Sequence, residues 1–115
     1  MTDAPADPVA QRKLQRVWRC FDESGRLQRW PSKRSEQLLA LWIVWSQLPK
    51  NTQLSELDVN AMLAGWHDLD DHALLRRDLV DLGLMQQTPN GAVYRVVNAE
   101  VPPDAAAAIA GMADR

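Results

Sequence analysis

The densest group of side chains able to do chemistry is the run His67-Asp68-Leu69-Asp70-Asp71-His72. Imidazoles and carboxylates in such numbers are ligands for a divalent metal ion. The same run also fits a turn between two helices, because aspartates at the start of a helix cap it and interact favourably with its dipole. The two histidines flank that turn, and nothing in their spacing brings both nitrogens to one point. We therefore predict no metal site and no cofactor.

Motifs that serve catalysis are missing from the sequence. It has no glycine-rich phosphate loop, no serine nucleophile motif and no paired general acid and base. Cys20 is the only cysteine, which excludes an internal disulfide and a zinc site built from several cysteines. Beside Phe21, it is predicted to be a small buried residue rather than a redox sensor. We expect no catalytic residue and a protein that is not an enzyme.

The basic side chains are concentrated in the N-terminal third of the chain. The net charge is −2, yet residues 11–34 carry eight basic side chains against two acids, a local balance of +6. Residues 35–97 carry four basic side chains against eight acids, a balance of −4. A polyanion would therefore bind at the N-terminal third.

Two groups of arginines are candidates for nucleic-acid binding. Arg12, Arg16 and Arg19 share one face of a predicted helix, and cations placed on phosphates release counterions and give nonspecific affinity. Arg76 and Arg77 lie on a helix that could contact guanine or phosphate, but four aspartates give that helix a net charge of −2. A solvated face that neutralises the acidic half of the protein explains the basic segment equally well. The candidates are Arg12, Arg16, Arg19, Arg29, Lys33, Arg34, Arg76 and Arg77.

The elements that hold these residues begin with an amphipathic helix from about residue 8 to 22. Residues 26–30 alternate with period two, which predicts a short strand with Leu27 on one face. The next helix, about 35–48, contains eight consecutive apolar residues and must be covered on several sides. A second subunit is one candidate cover, in a homodimer formed through Leu38, Trp42 and Trp45.

The following segment reads as helix, helix and hairpin in immediate succession. Ser55 and Asp58 predict a capping box at the start of the first helix, which is expected to bury Leu57 and Leu63. The second helix runs from Asp71 to Leu82, and Asn90-Gly91 turns the hairpin. We predict a mostly α, winged helix-turn-helix-like single domain with a small β-hairpin wing and an extra N-terminal amphipathic helix.

The expected boundaries are a disordered N-terminus at 1–7, a winged-helix-like domain at 8–97 and a loosely packed tail at 98–115. Pro102, Pro103 and the following alanines would suit a short helix in that tail. No run approaches the ~18 apolar residues of a membrane span, and no secretory signal opens the chain. We expect a cytoplasmic protein of bacterial type that does not contact a membrane.

A set of short motifs follows the chain from the first loop to the hairpin. The motifs are Gly25-Arg26-Leu27, Pro31-Ser32-Lys33-Arg34, Ser55-Glu56, Val59-Asn60, His67-Asp68, Leu75-Arg76-Arg77, Gly83-Leu84 and Gly91 with Tyr94. Together, over roughly residues 12–97, they resemble one prokaryotic family of unknown function, number 2087 in its series. Its members stand alone or are attached to transcriptional regulators, so the resemblance implies a regulatory setting and no catalytic residue. Trp30 departs from the family, which has a smaller aliphatic residue there.

Three hypotheses for function remain open at this point. The first is a non-enzymatic, transcription-associated module with weak nucleic-acid binding through residues 12–34. The second is a protein-interaction or dimerisation module with no nucleic-acid contact. The third is a sensor that holds a small ligand between tryptophans.

Overall fold

The computed structural model describes residues 7–69 and 71–114, and only the backbone of His72. Those residues form five helices and a three-stranded antiparallel sheet in which β3 is central. The sequence predicted the helices and the hairpin but missed β1, so the architecture is mixed rather than mostly α with a hairpin alone. The elements are α1 Pro8–Trp18, α2 Arg34–Ser46, β1 Gln53–Leu54, α3 Glu56–Ala64, α4 His72–Asp81, β2 Met85–Gln87, β3 Tyr94–Val96 and α5 Pro103–Ala113.

Side chains close in sequence cap α1, α3 and α4, whereas α2 and α5 begin without a side-chain cap. The Asp7 carboxylate accepts the Val9 N–H at the start of α1. Ser55 Oγ accepts the Asp58 N–H at 3.1 Å, and the Asp58 carboxylate accepts the Ser55 N–H at 3.2 Å, which confirms the predicted capping box. The Asp71 carboxylate caps α4 in the same way.

The apolar helix α2 is the centre of the core. It packs against α1, α4 and α5, so helices of the same chain cover it on several sides. Trp45, expected at a dimer interface, is only 5% exposed, and its indole N–H donates to the Val97 carbonyl at 2.8 Å. Leu38 and Trp42 remain partly exposed.

The strand predicted at 26–30 does not form. Leu27 is fully buried and makes isolated bridges with Phe21 and His67. Its N–H donates to the Trp66 carbonyl and its own carbonyl accepts the Asp68 N–H, both at 2.8 Å. The alternation was correct for the inward direction of Leu27, but the backbone of the loop at Trp66–Asp68 pairs with the backbone of Leu27 alone and not with a strand.

The prediction that α3 buries Leu57 is wrong. Leu57 is 80% exposed, whereas Val59 and Leu63 are fully buried. The two buried residues are four apart and therefore share one face of the helix. At 100° per residue, Leu57 lies on a different face from both.

The C-terminal segment packs closely rather than loosely. Ala105, Ala107 and Ala108 of α5 are buried against α2 and α1. Their small side chains allow close approach, and the Trp18 indole N–H donates to the Ala108 carbonyl at 3.0 Å. The predicted disordered segment 1–7 lies outside the described residues except for Asp7. No helix in the described ranges is long and apolar enough to cross a membrane.

Candidate nucleic-acid interface

Helix α1 carries the first group of predicted cations on its outer side. Arg12, Arg16 and Arg19 are all exposed, and Arg19 follows the last residue of the helix. The Arg16 Nε lies 3.4 Å from Oε1 of Glu36, a buried carboxylate on α2. The side chains of Arg12 and Arg19 form no ion pair with any residue that the structure describes.

The loop between α1 and α2 carries a second group of predicted cations. Arg29 and Lys33 are exposed, and neither forms an ion pair within residues 7–69 and 71–114. The backbone N–H of Arg29 donates to the Cys20 carbonyl at 3.3 Å, which places Arg29 beside the residue that follows Arg19. We call Arg12, Arg19, Arg29 and Lys33 the exposed cation group.

Arg34 does not belong to this group, because it is bound to α4. Its Nη1 and Nη2 donate to the two carboxylate oxygens of Asp78 at 3.0 and 3.3 Å. Hydrogen bonding to Asp78 raises the pKa of the Arg34 guanidinium above its ordinary value. Planar pairing of this kind fixes geometry as well as charge.

The two arginines of α4 are also engaged within the chain. Arg76 Nη1 donates to Asn60 Oδ1 at 2.7 Å and lies 3.4 Å from Glu56 Oε1, which ties α4 to α3. Arg77 Nη2 lies 3.5 Å from Asp71 Oδ2 in an exposed pair. Both arginines line a shallow groove of about 130 Å³ that Gln87 and Tyr94 close from the hairpin side.

Sequence reasoning missed the position of Arg26, which it counted only as a charge. The Arg26 guanidinium donates to the carbonyls of Ala64, Gly65 and His67 at 2.8–3.1 Å and pairs with the Asp68 carboxylate. The carbonyl end of a helix carries partial negative charge, so a cation there stabilises the end of α3. The motifs Gly25-Arg26-Leu27 and His67-Asp68 were visible separately, but no local pattern joined them.

The predicted histidine-aspartate cluster is only partly described. His67 is 2% exposed, and its Nδ1 accepts the Leu69 N–H at 3.0 Å, which occupies that nitrogen. Asp70 and the His72 side chain lie outside the described residues. The rest of the described chain holds no group of three His, Cys, Asp or Glu side chains that could bind a metal. Cys20 is buried, as predicted, and its thiol donates to the Arg16 carbonyl.

Comparison with known proteins places the chain in one family. A bacterial family, described as "Uncharacterized protein conserved in bacteria (DUF2087)", matches residues 26–96, well over half of the chain. The match is narrower than the 12–97 expected from the motifs, and it leaves α1 and α5 outside. No curated protein and no solved structure shows a match. The chain belongs to the bacterial DUF2087 family.

Proposed function

We propose that this protein is a non-enzymatic, transcription-associated winged-helix module that binds nucleic acid weakly through the exposed cation group. The order α3, α4 and hairpin is that of a winged helix-turn-helix, in which α4 takes the position of the recognition helix. The small sheet, with β3 between β1 and β2, supports the same proposal because it fixes the hairpin against the helices.

A difference in ion pairing indicates which of the two basic surfaces binds nucleic acid. Arg12, Arg19, Arg29 and Lys33 are exposed and form no ion pair with described residues, whereas the arginines of α4 are paired with Glu56 and Asp71. The carboxylate beside a paired arginine offsets its positive charge and repels a phosphate that approaches the same site. The N-terminal surface therefore binds a polyanion at lower cost than α4 does.

Salt dependence provides the test. Four phosphate contacts on a duplex correspond to a slope of log affinity against log salt of about −3 to −4. We expect a labelled random duplex, followed by fluorescence anisotropy at several salt concentrations, to show weak binding with a slope in this range. Substitution of all four cations by glutamine should flatten the slope and remove most of the binding.

The matched control is Arg77→Gln, which removes an exposed arginine from α4. Its binding should remain within about twofold of the original, since Arg77 lies outside the exposed cation group and is paired with Asp71. Absence of binding at low salt would overturn the proposal. Equal losses in the quadruple variant and in Arg77→Gln would move the interface to α4.

A second candidate function, self-association or binding to another protein, is favoured by the face of α3. Leu57 is 80% exposed, and Ala61 and Ala64 lie exposed one and two turns further along. Trp45 is occupied in the core, so Leu38 and Trp42 are the accessible part of the interface expected on α2. Sedimentation velocity over a range of concentrations tests this candidate. Leu57→Glu should abolish a mass increase that depends on α3, whereas Trp42→Ala should abolish one that depends on α2.

A further inference from the structure

A cleft of about 330 Å³ opens between α1, α2 and the first turn of α5. Leu14, Leu39 and Ala107 form its buried apolar wall, and Ala10 and Pro103 also line it. This volume lies at the lower end of the range for small-molecule pockets. Helices α1 and α5 both lie outside the residues that match the family, so two of the three walls are features of this chain rather than of the matched region.

Two opposite charges face this cleft without neutralising each other. Lys13 of α1 and Asp104 of α5 both line it, and no ion pair joins them. The hydrogen bond that the Asp104 carboxylate accepts comes from the N–H of its neighbour Ala105, at 2.8 Å. Lys13 likewise pairs with no carboxylate in the described ranges. One positive and one negative group therefore line the cleft together with its apolar wall.

We propose that this cleft binds a small zwitterion with an apolar side chain, the chemistry of a free apolar α-amino acid. The Lys13 ammonium pairs with the ligand carboxylate, and the Asp104 carboxylate accepts from the ligand ammonium. The ligand side chain packs against Leu14, Leu39 and Ala107. This inference is independent of the proposed function, because no member of the exposed cation group lines the cleft.

Charge complementarity excludes the simpler ligand classes. A monocarboxylate would leave Asp104 beside an anion, and a monoamine would leave Lys13 beside a cation. A neutral apolar molecule would cover both charges without pairing either, at a desolvation cost. A zwitterion satisfies both groups at once.

The bound ligand would connect α1 to α5, and the fluorescent side chain of Trp18 lies close to the cleft. Trp18 is one helical turn beyond Leu14, and its indole N–H donates to Ala108, the neighbour of Ala107. Binding should therefore raise the melting temperature, because it stabilises the folded state alone, and should change the emission of Trp18.

Calorimetric titration with L-leucine and its truncated analogues tests the proposal directly. Isocaproate has the same side chain without the ammonium, isoamylamine lacks the carboxylate, and glycine lacks the apolar group. We expect L-leucine to bind and each analogue to bind at least about tenfold more weakly. Equal binding of isocaproate or isoamylamine overturns the zwitterion assignment. Absence of binding by leucine, isoleucine, methionine and phenylalanine alike overturns the site itself.

Substitutions in the cleft test whether leucine binds there. Lys13→Gln and Asp104→Asn should each weaken leucine binding by about tenfold, and Ala10→Leu should block the cleft. Arg95→Gln and Glu100→Gln are matched controls, since each removes an exposed charge that does not line the cleft. Circular dichroism confirms that each variant is folded. Equal losses of leucine binding in the variants and in their controls would contradict the amino-acid proposal. This outcome does not depend on whether the protein binds the labelled duplex.

Discussion

Arg34 and Asp78 form a two-pronged ion pair that joins the first residue of α2 to the middle of α4, with N–O distances of 3.0 and 3.3 Å. The two residues are 44 positions apart. In sequence, Arg34 belongs to the basic segment and Asp78 to the helix that repels phosphate. The pair therefore reduces the net positive charge of the basic segment and the net negative charge of α4.

We predict that Asp78→Asn strengthens nucleic-acid binding. The substitution releases Arg34 and removes one acid, so the salt slope should steepen by up to about 0.9, the contribution of one phosphate contact. Anisotropy titrations at several salt concentrations measure this slope. Asp114→Asn removes the same charge from the end of α5, and an equal effect in that control would show that net charge alone is responsible.

Arg26→Lys should lower the melting temperature although the charge is kept. A lysine ammonium cannot reproduce the planar fork that reaches three carbonyls and the Asp68 carboxylate together. Thermal unfolding followed by circular dichroism measures the change, with Arg29→Lys as the exposed control. A decrease no larger than that of the control would contradict the role of Arg26 as the link between its loop and the end of α3.

Stability should fall in acid through two carboxylates whose pKa values lie below the ordinary value of 3.8. Hydrogen bonding from the Arg26 guanidinium lowers the pKa of Asp68, and the Arg26 backbone N–H followed by the Ser24 hydroxyl lowers that of Asp22. A carboxyl group with a lowered pKa in the folded state contributes stability above its unfolded pKa, and that contribution disappears as pH falls through the folded pKa.

Urea unfolding between about pH 5 and 2 measures this loss, because the unfolded aspartate pKa is about 3.9. Asp68→Asn and Arg26→Met should both flatten the dependence on pH, since each removes the Arg26–Asp68 pair. Asp22→Asn should remove a separate part, because its main partner is a backbone N–H that Arg26→Met retains. An unchanged pH dependence in all three variants would show that other groups govern acid unfolding.

Gly111→Ala should destabilise the protein even though alanine favours a helix by about 1 kcal/mol over glycine. A β-carbon at this position would lie 2.1 Å from Cζ2 of the Trp18 ring, so the ring or α5 must move. Overpacking of this kind costs about 1–3 kcal/mol in the free energy of unfolding. A double-mutant cycle with Trp18→Leu checks the cause, since the penalty should shrink once the ring is removed.

Truncation of the two leucines of α3 should have costs of very different size. Leu63→Ala should cost about 2–5 kcal/mol because the fully buried side chain leaves a cavity. Leu57→Ala should change the free energy of unfolding by less than about 0.5 kcal/mol, because the side chain is exposed. Chemical denaturation of both variants at one protein concentration provides the comparison. A large cost at Leu57 would indicate that a second molecule covers this face.

The predictions from sequence that the structure confirms rest on contacts between near neighbours. Ser55 and Asp58 are three residues apart, and the hairpin turns at Asn90 and Gly91, where the glycine has φ of 70°. Strand β1 was missed because it has only two residues, and its partner β3 lies about forty positions further along. The sequence allowed a short helix at α5 but missed its close packing, because a run of alanines shows no apolar stripe, although small side chains suit close helix packing.

The sequence by itself determined the helix starts, the hairpin turn, the concentration of cations in the N-terminal third and the family motifs. Each of these follows from residue type or from hydrogen bonds within a few positions. Only the tertiary structure decided which cations remain available, because Arg26 and Arg34 find their carboxylates 42 and 44 residues away. It also brought Lys13 and Asp104 to one cleft. Local pattern cannot indicate such pairings, since they depend on how helices far apart in sequence pack against one core.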